Sequence, residues 1–336
     1  MHRRTFLCLL ASASAVTAAV LLAAAPVAAL AAAPEEKDVQ GLYEGAYTEE
    51  GAAHKVEARV VATGDGGYTI FVREPQPGGE VKKYEFTGTT EGDAVRFAGT
   101  AEGLTWTGTW SPGRIAGASS EGGPFELKRI ERKPPTLGAK PPAGAVVLLA
   151  IGEKTFGEVL VRPDKKGNRG EWKAVEDGGT LVPKGGFESK RTLDGSFRLH
   201  VEFQCPLMPK ARGQGRGNSG VYLPNGNEIQ VLDSFGMTTY TGGGCGGIYK
   251  YKDPDAFDAF SLASLPPLEW QTYDIEYRVT KENGKPAGKP VVTVVHNGVT
   301  IHDRHELKND ARPGRLFFQD HGNAVHYRNI WVVPME

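Results

Sequence analysis

Two short segments, Asn218–Leu223 and Glu228–Asp233, carry the residues whose types and spacing are best suited to chemistry. If both segments are strands, alternate side chains point to opposite faces. Their aliphatic residues then share one face, and the other face carries a carboxylate, a phenol and two amides. These polar residues are Asn218, Tyr222, Glu228 and Gln230. Because unpaired polar groups are costly in a core, we expect this face to bind a polar ligand.

A second set of polar side chains lies near the C-terminus, in residues 316–328. If the alternating hydrophobic residues of this stretch form part of the core, four polar side chains are predicted to face solvent. They are Gln319, His321, His326 and Arg328. We predict that they share one groove with Glu228 on a concave sheet, which would bring an acid, a base, a cation and amides together.

Each charged candidate also has a purely structural interpretation. Glu228 could be a solvated strand residue, and His321 could end a turn before Gly322. Arg328 could pair with a surface carboxylate, which contributes little stability. Asp233 has the opposite parity to Glu228, so we assign it to a turn or to a supporting position.

The glycine-rich segment Gly242–Gly247 is a weaker candidate. It lacks the following Lys-Ser/Thr pair and the helix of a phosphate-binding loop. We expect it to form a rim of the groove, with Tyr249 and Lys250 at its exit as ligand contacts.

The N-terminus predicts export. Residues 1–33 combine the basic start His2-Arg3-Arg4 with a long Ala/Leu/Val run and Ala-x-Ala patterns, as signal peptides do. The arginine pair also resembles a twin-arginine signal, and the alternative is a retained membrane anchor. We therefore expect a periplasmic or extracellular protein whose membrane contact is limited to an uncleaved signal. In such a compartment Cys205 and Cys245 would form either a disulfide or two buried thiols.

The composition argues against a nucleic-acid partner. The chain has 39 Lys and Arg residues against 40 Asp and Glu residues, and it has no basic stripe. Its 44 glycines and 22 prolines follow no period, which is typical of a turn-rich β protein rather than a fibre.

Short alternating segments between Gly, Asp and Pro turns predict an all-β protein with two domains. Residues 38–130 indicate a small antiparallel barrel or sandwich of unknown role, in which Trp106 and Trp110 are expected in the core. The proline-rich residues 131–145 indicate a semi-rigid linker. Residues 146–336 contain about ten further strand candidates, which predict a two-sheet sandwich of the jelly-roll type.

The second domain resembles a known family in six ordered blocks. The blocks are NSGVYL (218–223), EIQVLD (228–233), GGIY (246–249), EWQTYD (269–274), NGV (297–299) and QDHGN with YRNI (319–330). They resemble the 3-keto-disaccharide hydrolase family, over about residues 146–334. The resemblance implies a concanavalin A-like lectin/glucanase sandwich, of a kind that is frequently exported.

The resemblance also implies a chemistry. A ketone at sugar C3 acidifies the C2 proton, so a base can remove that proton and the C1 aglycone leaves by elimination. Water then adds to the enone, which completes the hydrolysis of the glycoside. His321 or Glu228 would be the base and the other the acid. The enolate would be stabilised by Arg328, by Gln319 or by a divalent metal, and no other cofactor is indicated.

Two other classes of function remain open from the sequence. The domain could be a carbohydrate-binding module without turnover, which would bind sugars through amides and aromatic rings. An ordinary glycosidase with two carboxylates would need a second acid on the same face. Asp233 is the one nearby candidate, and its parity counts against it.

Overall fold

The computed structural model of the chain describes residues 32–237, 242–255 and 263–335. The predicted signal peptide lies outside this part of the chain, except for its last two residues. The all-β prediction is confirmed, since strands account for nearly all regular structure in these ranges. None of the described helices is both long and apolar enough to cross a membrane.

The first unit is a closed antiparallel barrel in which each strand pairs with the next and the last pairs with the first. After helix α1 (Glu36–Val39), its strands are β1 (Gly41–Glu49), β2 (Ala52–Gly64), β3 (Gly67–Pro75), β4 (Val81–Glu91), β5 (Ala94–Ala101), β6 (Leu104–Ser111), β7 (Arg114–Ser119) and β8 (Pro124–Ile130). Tight turns join them. Between β2 and β3, for example, Asp65 and Gly66 both have positive φ (56° and 73°), as two-residue hairpin turns require.

The second unit is a sandwich of two sheets. Its strands are β9 (Val146–Leu149), β10 (Val159–Val161), β11 (Lys173–Ala174), β12 (Thr180–Leu181), β13 (Phe187–Ser189), β14 (Phe197–Gln204), β15 (Ser219–Tyr222), β16 (Glu228–Val231), β17 (Trp270–Glu282), β18 (Lys285–His296), β19 (Val299–Glu306), β20 (Phe317–Phe318) and β21 (His326–Pro334). A 3-10 turn (Gly213–Gly215) precedes β15. One sheet has the order β10-β13-β20-β15-β16. The other has the order β11-β12-β21-β14-β17-β18-β19, with β9 beside β21.

The core lies between these two sheets. Phe318 of β20 stacks on Phe187 of β13 with ring centroids 4.6 Å apart, and it meets Tyr327 of β21 edge-on at 5.3 Å. All three side chains are fully buried. Since β20 and β21 belong to different sheets and both turn these residues inward, their outer faces point in opposite directions.

The proline-rich stretch between the units lies along the outer face of the eight-stranded sheet. Thr136 Oγ1 donates a hydrogen bond to Asp274 Oδ2 at 2.6 Å. The Gly138 amide donates to Glu202 Oε1 at 2.6 Å, and Asn329 Nδ2 donates to the Ala139 carbonyl at 2.9 Å. The stretch is therefore bound along the sheet at several points.

The barrel also contacts the sandwich directly. Arg59 of β2 donates to the Phe235 carbonyl at 3.3 Å and lies over the Phe235 ring, 5.4 Å from its centroid. Leu42 and Val61 of the barrel pack with Phe235 and Leu265 in a small buried cluster. The two units therefore share apolar as well as polar contacts.

Candidate functional site

The outer face of the five-stranded sheet holds Glu228 in an unusual setting. Glu228 on β16 lies opposite Tyr222 on β15, and the next outward position of β15 is Gly220. The glycine makes room for the carboxyl group, because a Cβ there would lie 2.0 Å from Glu228 Oε1. Glu228 is only 7% exposed. Burial raises the pKa of its carboxyl to about 7, and a hydrogen bond from the Tyr222 hydroxyl offsets only part of that rise.

Amide side chains surround this carboxyl group. In the orientation that satisfies its neighbours, the Gln230 amide nitrogen donates to Glu228 Oε1 at 3.2 Å. Gln319 Nε2 donates to the Tyr222 hydroxyl at 3.2 Å. The polar face predicted from strand parity thus exists for these four residues, and it combines one titratable acid with neutral donors.

Two amide oxygens on this side are buried and have no hydrogen-bond partner, namely Asn218 Oδ1 and Gln319 Oε1. The nitrogen of Asn218 is already used, since it donates to the carbonyl and the side-chain oxygen of Gln214 at 2.7 and 3.0 Å. Buried acceptors without a donor are rare in folded proteins and need an explanation. A ligand that brings hydroxyl groups would supply the missing donors.

The rim of this face comes from the segment that follows β16. The Tyr249 backbone amide donates to the Glu228 carbonyl at 3.0 Å, which fixes Tyr249 beside the acid. Lys250 is exposed and has a positive φ of 54°, with its ammonium 5.2 Å from the centroid of the Tyr249 ring. Gln214 Nε2 donates to the Gly243 carbonyl at 2.9 Å, which ties the glycine-rich segment to the same face.

His321 lies in an exposed loop that is held to β15 on both sides. The Gln319 amide donates to the Gly220 carbonyl at 2.9 Å, and Asn323 Oδ1 accepts from the Asn218 amide at 2.7 Å. The loop therefore leaves and returns beside β15, the strand next to the one that carries Glu228, with the exposed His321 between its two anchors.

His326 and Arg328 lie on the other side of the sandwich, so the prediction of one groove containing them is wrong. Both project outward from β21, as their parity indicated, but β21 belongs to the eight-stranded sheet. Arg328 Nε donates to Glu202 Oε2 at 2.7 Å, and its guanidinium lies over the Trp270 ring at 4.0 Å. His326 Nδ1 contacts Gln204 Oε1 at 3.2 Å. The error lies in the sheet assignment, because parity cannot tell which of two sheets a strand joins.

Sequence reasoning missed several supporting residues of the Glu228 face. Gly220 has the same parity as Tyr222, so it lies on the face that carries Glu228. Its lack of a side chain was the available signal that another group approaches the backbone closely there. Gln214 and Asn323 lie in loops, where no periodicity marks them. Asp233 is buried in an ion pair with Arg216, with Arg216 Nε 2.6 Å from Asp233 Oδ2, which agrees with its assignment as a supporting residue.

A second buried polar cluster, also missed, lies on the outer face of the eight-stranded sheet. Its centre is Glu202, whose side chain has no exposure. Besides Arg328 and the Gly138 amide, Glu202 Oε1 contacts Asn329 Nδ2 at 2.8 Å and His200 Nε2 at 3.5 Å. Burial alone would raise the pKa of Glu202, but hydrogen bonds from these groups outweigh it and lower that pKa to about 2.

Within the described residues, no three His, Cys, Asp or Glu side chains converge in a way that could hold a metal ion. Cys205 and Cys245 are both free and buried, so the structure corresponds to the two-thiol alternative. Cys245 Sγ lies 3.0 Å from the Tyr273 hydroxyl.

The outer face of the five-stranded sheet thus combines a buried acid with unpaired amide oxygens, an arrangement suited to a hydroxyl-rich ligand. A family model described as the 3-keto-alpha-glucoside-1,2-lyase-like domain matches residues 161–333, more than half of the chain. The chain therefore belongs to this family, which confirms the resemblance seen in the sequence. Family membership supports, in broad terms, an enzyme that acts on glycosides.

A solved structure was also found to be similar. It is that of a "putative glycosyl hydrolase" from Parabacteroides distasonis ATCC 8503, with 33% sequence identity and a TM-score of 0.48. The match covers 58% of this chain and 85% of that chain. Among curated proteins no match was found.

Proposed function

We propose that this protein is an exported enzyme that cleaves 3-keto-glycosides on the outer face of the five-stranded sheet. Glu228 carries the proposal. Its carboxyl group is almost fully buried, faces the polar surface and has a pKa raised to about 7. At neutral pH both of its protonation states are then populated, which is the condition for efficient general acid–base catalysis.

The chemistry needs one proton removed and one supplied. A base takes the C2 proton, the C1–O bond breaks as a C1–C2 double bond forms, and an acid protonates the departing oxygen. Water then adds its oxygen to C1 and a proton to C2, so that the sum is hydrolysis. We assign these proton transfers to Glu228 and to His321 on the neighbouring loop, without fixing which of the two acts first.

The enolate that forms at the C3 oxygen needs donors on the same face. Arg328 is withdrawn from this role, because it lies on the opposite sheet in an ion pair with Glu202. The Gln319 amide remains as a donor, and the exposed ammonium of Lys250 at the rim supplies a cation. With no cluster of metal-binding side chains among the described residues, we assign no step to a metal.

Binding of the sugar is proposed to use the remaining polar groups. Asn218 Oδ1 and Gln319 Oε1 would accept hydrogen bonds from sugar hydroxyls, and the ring of Tyr249 would pack on a sugar face. The same groups would serve a carbohydrate-binding module without turnover, which is the second candidate function. The buried acid favours the enzyme, because an uncompensated carboxyl group costs stability and a binding module has no need of it.

The decisive experiment measures turnover of a chromogenic 3-keto-glucoside by the wild type, Glu228→Gln and His321→Ala. We expect each substitution to lower kcat by about 10²–10⁴-fold, the range for lost general acid–base catalysis. The matched control is Glu188→Gln, because Glu188 faces outward from β13 in the same sheet, three strand spacings or about 14 Å from Glu228. Wild-type turnover in both site variants would exclude this site. Glycan binding by a wild type that turns over no 3-keto-glycoside would favour the binding module.

A further inference from the structure

The barrel of β1 to β8 contains an apolar cavity that plays no part in the proposed reaction. The cavity encloses about 730 Å³ of empty space, counting its open mouth. Six of its lining side chains are aromatic, namely Tyr47, Tyr84, Phe86, Phe97, Trp106 and Phe125. Trp106, expected in the core from the sequence, is half-buried, packs against the barrel core and also lines this space.

The cavity occupies one end of the barrel, and the other end is closed. There, Val39 of helix α1 is completely buried and its carbonyl accepts a hydrogen bond from the Tyr43 hydroxyl at 2.7 Å. Trp110 Nε1 donates to the same hydroxyl at 3.0 Å. These contacts plug the closed end, so a ligand can reach the interior only from the side of the cavity.

The wall of the barrel opens beside the cavity. Strands β4 and β5 pair from Thr87 with Ala98 to Glu91 with Ala94, and the first half of β4 has no backbone partner on β5. Tyr84 and Phe86, in this unpaired half of β4, line the cavity and are partly exposed. Side chains span the gap, with the Tyr84 hydroxyl 3.1 Å from Glu102 Oε1 and the Lys82 ammonium 2.8 Å from the same oxygen. A gap spanned by side chains on an exposed edge can open without breaking the sheet.

Acidic groups surround the mouth of the cavity. Glu49 and Glu102 line it directly. Behind them, Glu74 is 2% exposed and its carboxylate accepts hydrogen bonds from the Tyr47 hydroxyl at 3.0 Å and the Tyr84 hydroxyl at 3.2 Å. Burial opposes ionisation of Glu74, but hydrogen bonds, including those from both tyrosines, outweigh it and lower its pKa. The Lys82 ammonium, bound to Glu102, offsets one of these three carboxylates, so the mouth keeps a net negative charge and is unfavourable for an anion.

We propose that the barrel is a binding site for a small, uncharged, largely apolar molecule that contains a ring system and enters between β4 and β5. Apolar cavities stay dry and bind apolar ligands, because water finds no partners inside them. Flat rings add offset-stacked or edge-to-face contacts with an aromatic wall. The acidic mouth selects against carboxylates, sulfonates and phosphates. This proposal is independent of the reaction assigned to the sandwich.

The test compares two fluorescent probes on the full chain. N-Phenyl-1-naphthylamine is uncharged, and 1-anilinonaphthalene-8-sulfonate has the same ring system with a sulfonate. We expect the uncharged probe to bind with micromolar affinity and the sulfonate at least about tenfold more weakly, a difference of about 1.4 kcal/mol. No binding of the uncharged probe, or equal binding of both, would overturn the proposal.

Two substitutions on β5 locate the probe. Ala101→Phe fills the cavity, because Ala101 lines it, and should weaken binding of the uncharged probe by about tenfold or more. Ala94→Phe is the matched control, since Ala94 lies on the outer face at the far end of β5, and should leave binding unchanged. Glu102→Gln, at an exposed position, should reduce the difference in affinity between the uncharged probe and the sulfonate. Equal binding by Ala101→Phe and the wild type, with unchanged thermal unfolding, would place the probe elsewhere and refute the site.

Discussion

The two outer faces of the sandwich each hold one buried glutamate, and the two residues have opposite electrostatic properties. Burial raises the pKa of Glu228 to about 7 on the five-stranded sheet. On the eight-stranded sheet, Glu202 is at least as buried, yet hydrogen bonds lower its pKa to about 2. Burial alone therefore does not decide how a carboxyl group ionises, and the donors around it do.

The donors explain the difference. Glu202 receives hydrogen bonds from the Arg328 guanidinium, from Asn329 and from the Gly138 amide, and His200 lies beside it. Glu228 has a phenol and a neutral amide. A fully compensated carboxylate is suited to holding structure together, while an uncompensated one is suited to exchanging protons near neutral pH. We therefore assign a structural role to the eight-stranded face, which holds Glu202, and a chemical role to the five-stranded face, which holds Glu228.

The largest effect expected from this comparison is a difference in stability between variants of the two glutamates. Glu202→Gln should lower the free energy of unfolding by about 3–5 kcal/mol, because the mostly buried Arg328 guanidinium loses its carboxylate and keeps only the Asp177 carbonyl and the Trp270 ring. Glu228→Gln should leave it unchanged or raise it, since a neutral amide replaces a carboxyl group that burial disfavours. Urea unfolding measures both changes. Equal losses of stability in the two variants would refute the assignment.

Part of this arrangement could be predicted from the sequence. Parity correctly turned Glu228, Gln230 and Gln319 outward, because alternation is a local property of each strand. It failed for His326 and Arg328, because the choice between two sheets depends on pairing with β12 and β14, which are distant along the chain. The proline content of the linker likewise did not predict its hydrogen bonds. The partners of the linker are strand residues, and alternation predicts only the face to which their side chains point.

The cavity in the barrel shows a related limit. Trp106 and Trp110 share a face of β6, so their parity is identical and the sequence treats them alike. In the structure Trp110 is 5% exposed and packs in the core, while Trp106 faces the cavity. The distinction comes from position along β6, since Trp106 lies toward the cavity and Trp110 toward the closed end, where its Nε1 donates to the Tyr43 hydroxyl.

A smaller effect is expected in the pH dependence of stability. The folded pKa of Glu228 lies above its ordinary value of 4.5, so folding takes up a proton there. The contribution of Glu228 to the free energy of unfolding is then fully present below pH 4.5 and is lost as pH rises through about 7. The shift corresponds to about 3 kcal/mol. Glu202 behaves in the opposite sense, since its contribution is present above pH 4.5 and is lost as pH falls toward 2.

The measurement that isolates Glu228 is the difference in unfolding free energy between the wild type and Glu228→Gln from pH 4.5 to 8. The difference is required because burial also raises the pKa of Glu269 to about 7, and that group titrates equally in both proteins. We expect the wild type to lose stability relative to the variant across this range. A difference that does not change with pH would show that Glu228 ionises normally.

The smallest effect concerns the linker that covers the Glu202 cluster. Thr136→Val removes the hydroxyl that donates to Asp274 Oδ2 at 2.6 Å and keeps the shape of the side chain. Loss of one such hydrogen bond costs about 1 kcal/mol, which corresponds to about fivefold more frequent local opening. Hydrogen exchange of the Gly138 amide, which lies two residues after Thr136 and donates to Glu202 Oε1, should then be about fivefold faster in Thr136→Val. Thr136→Ser retains the hydroxyl and should exchange like the wild type. If the two variants exchanged at the same rate, the linker would be held by its prolines and backbone contacts rather than by this hydrogen bond.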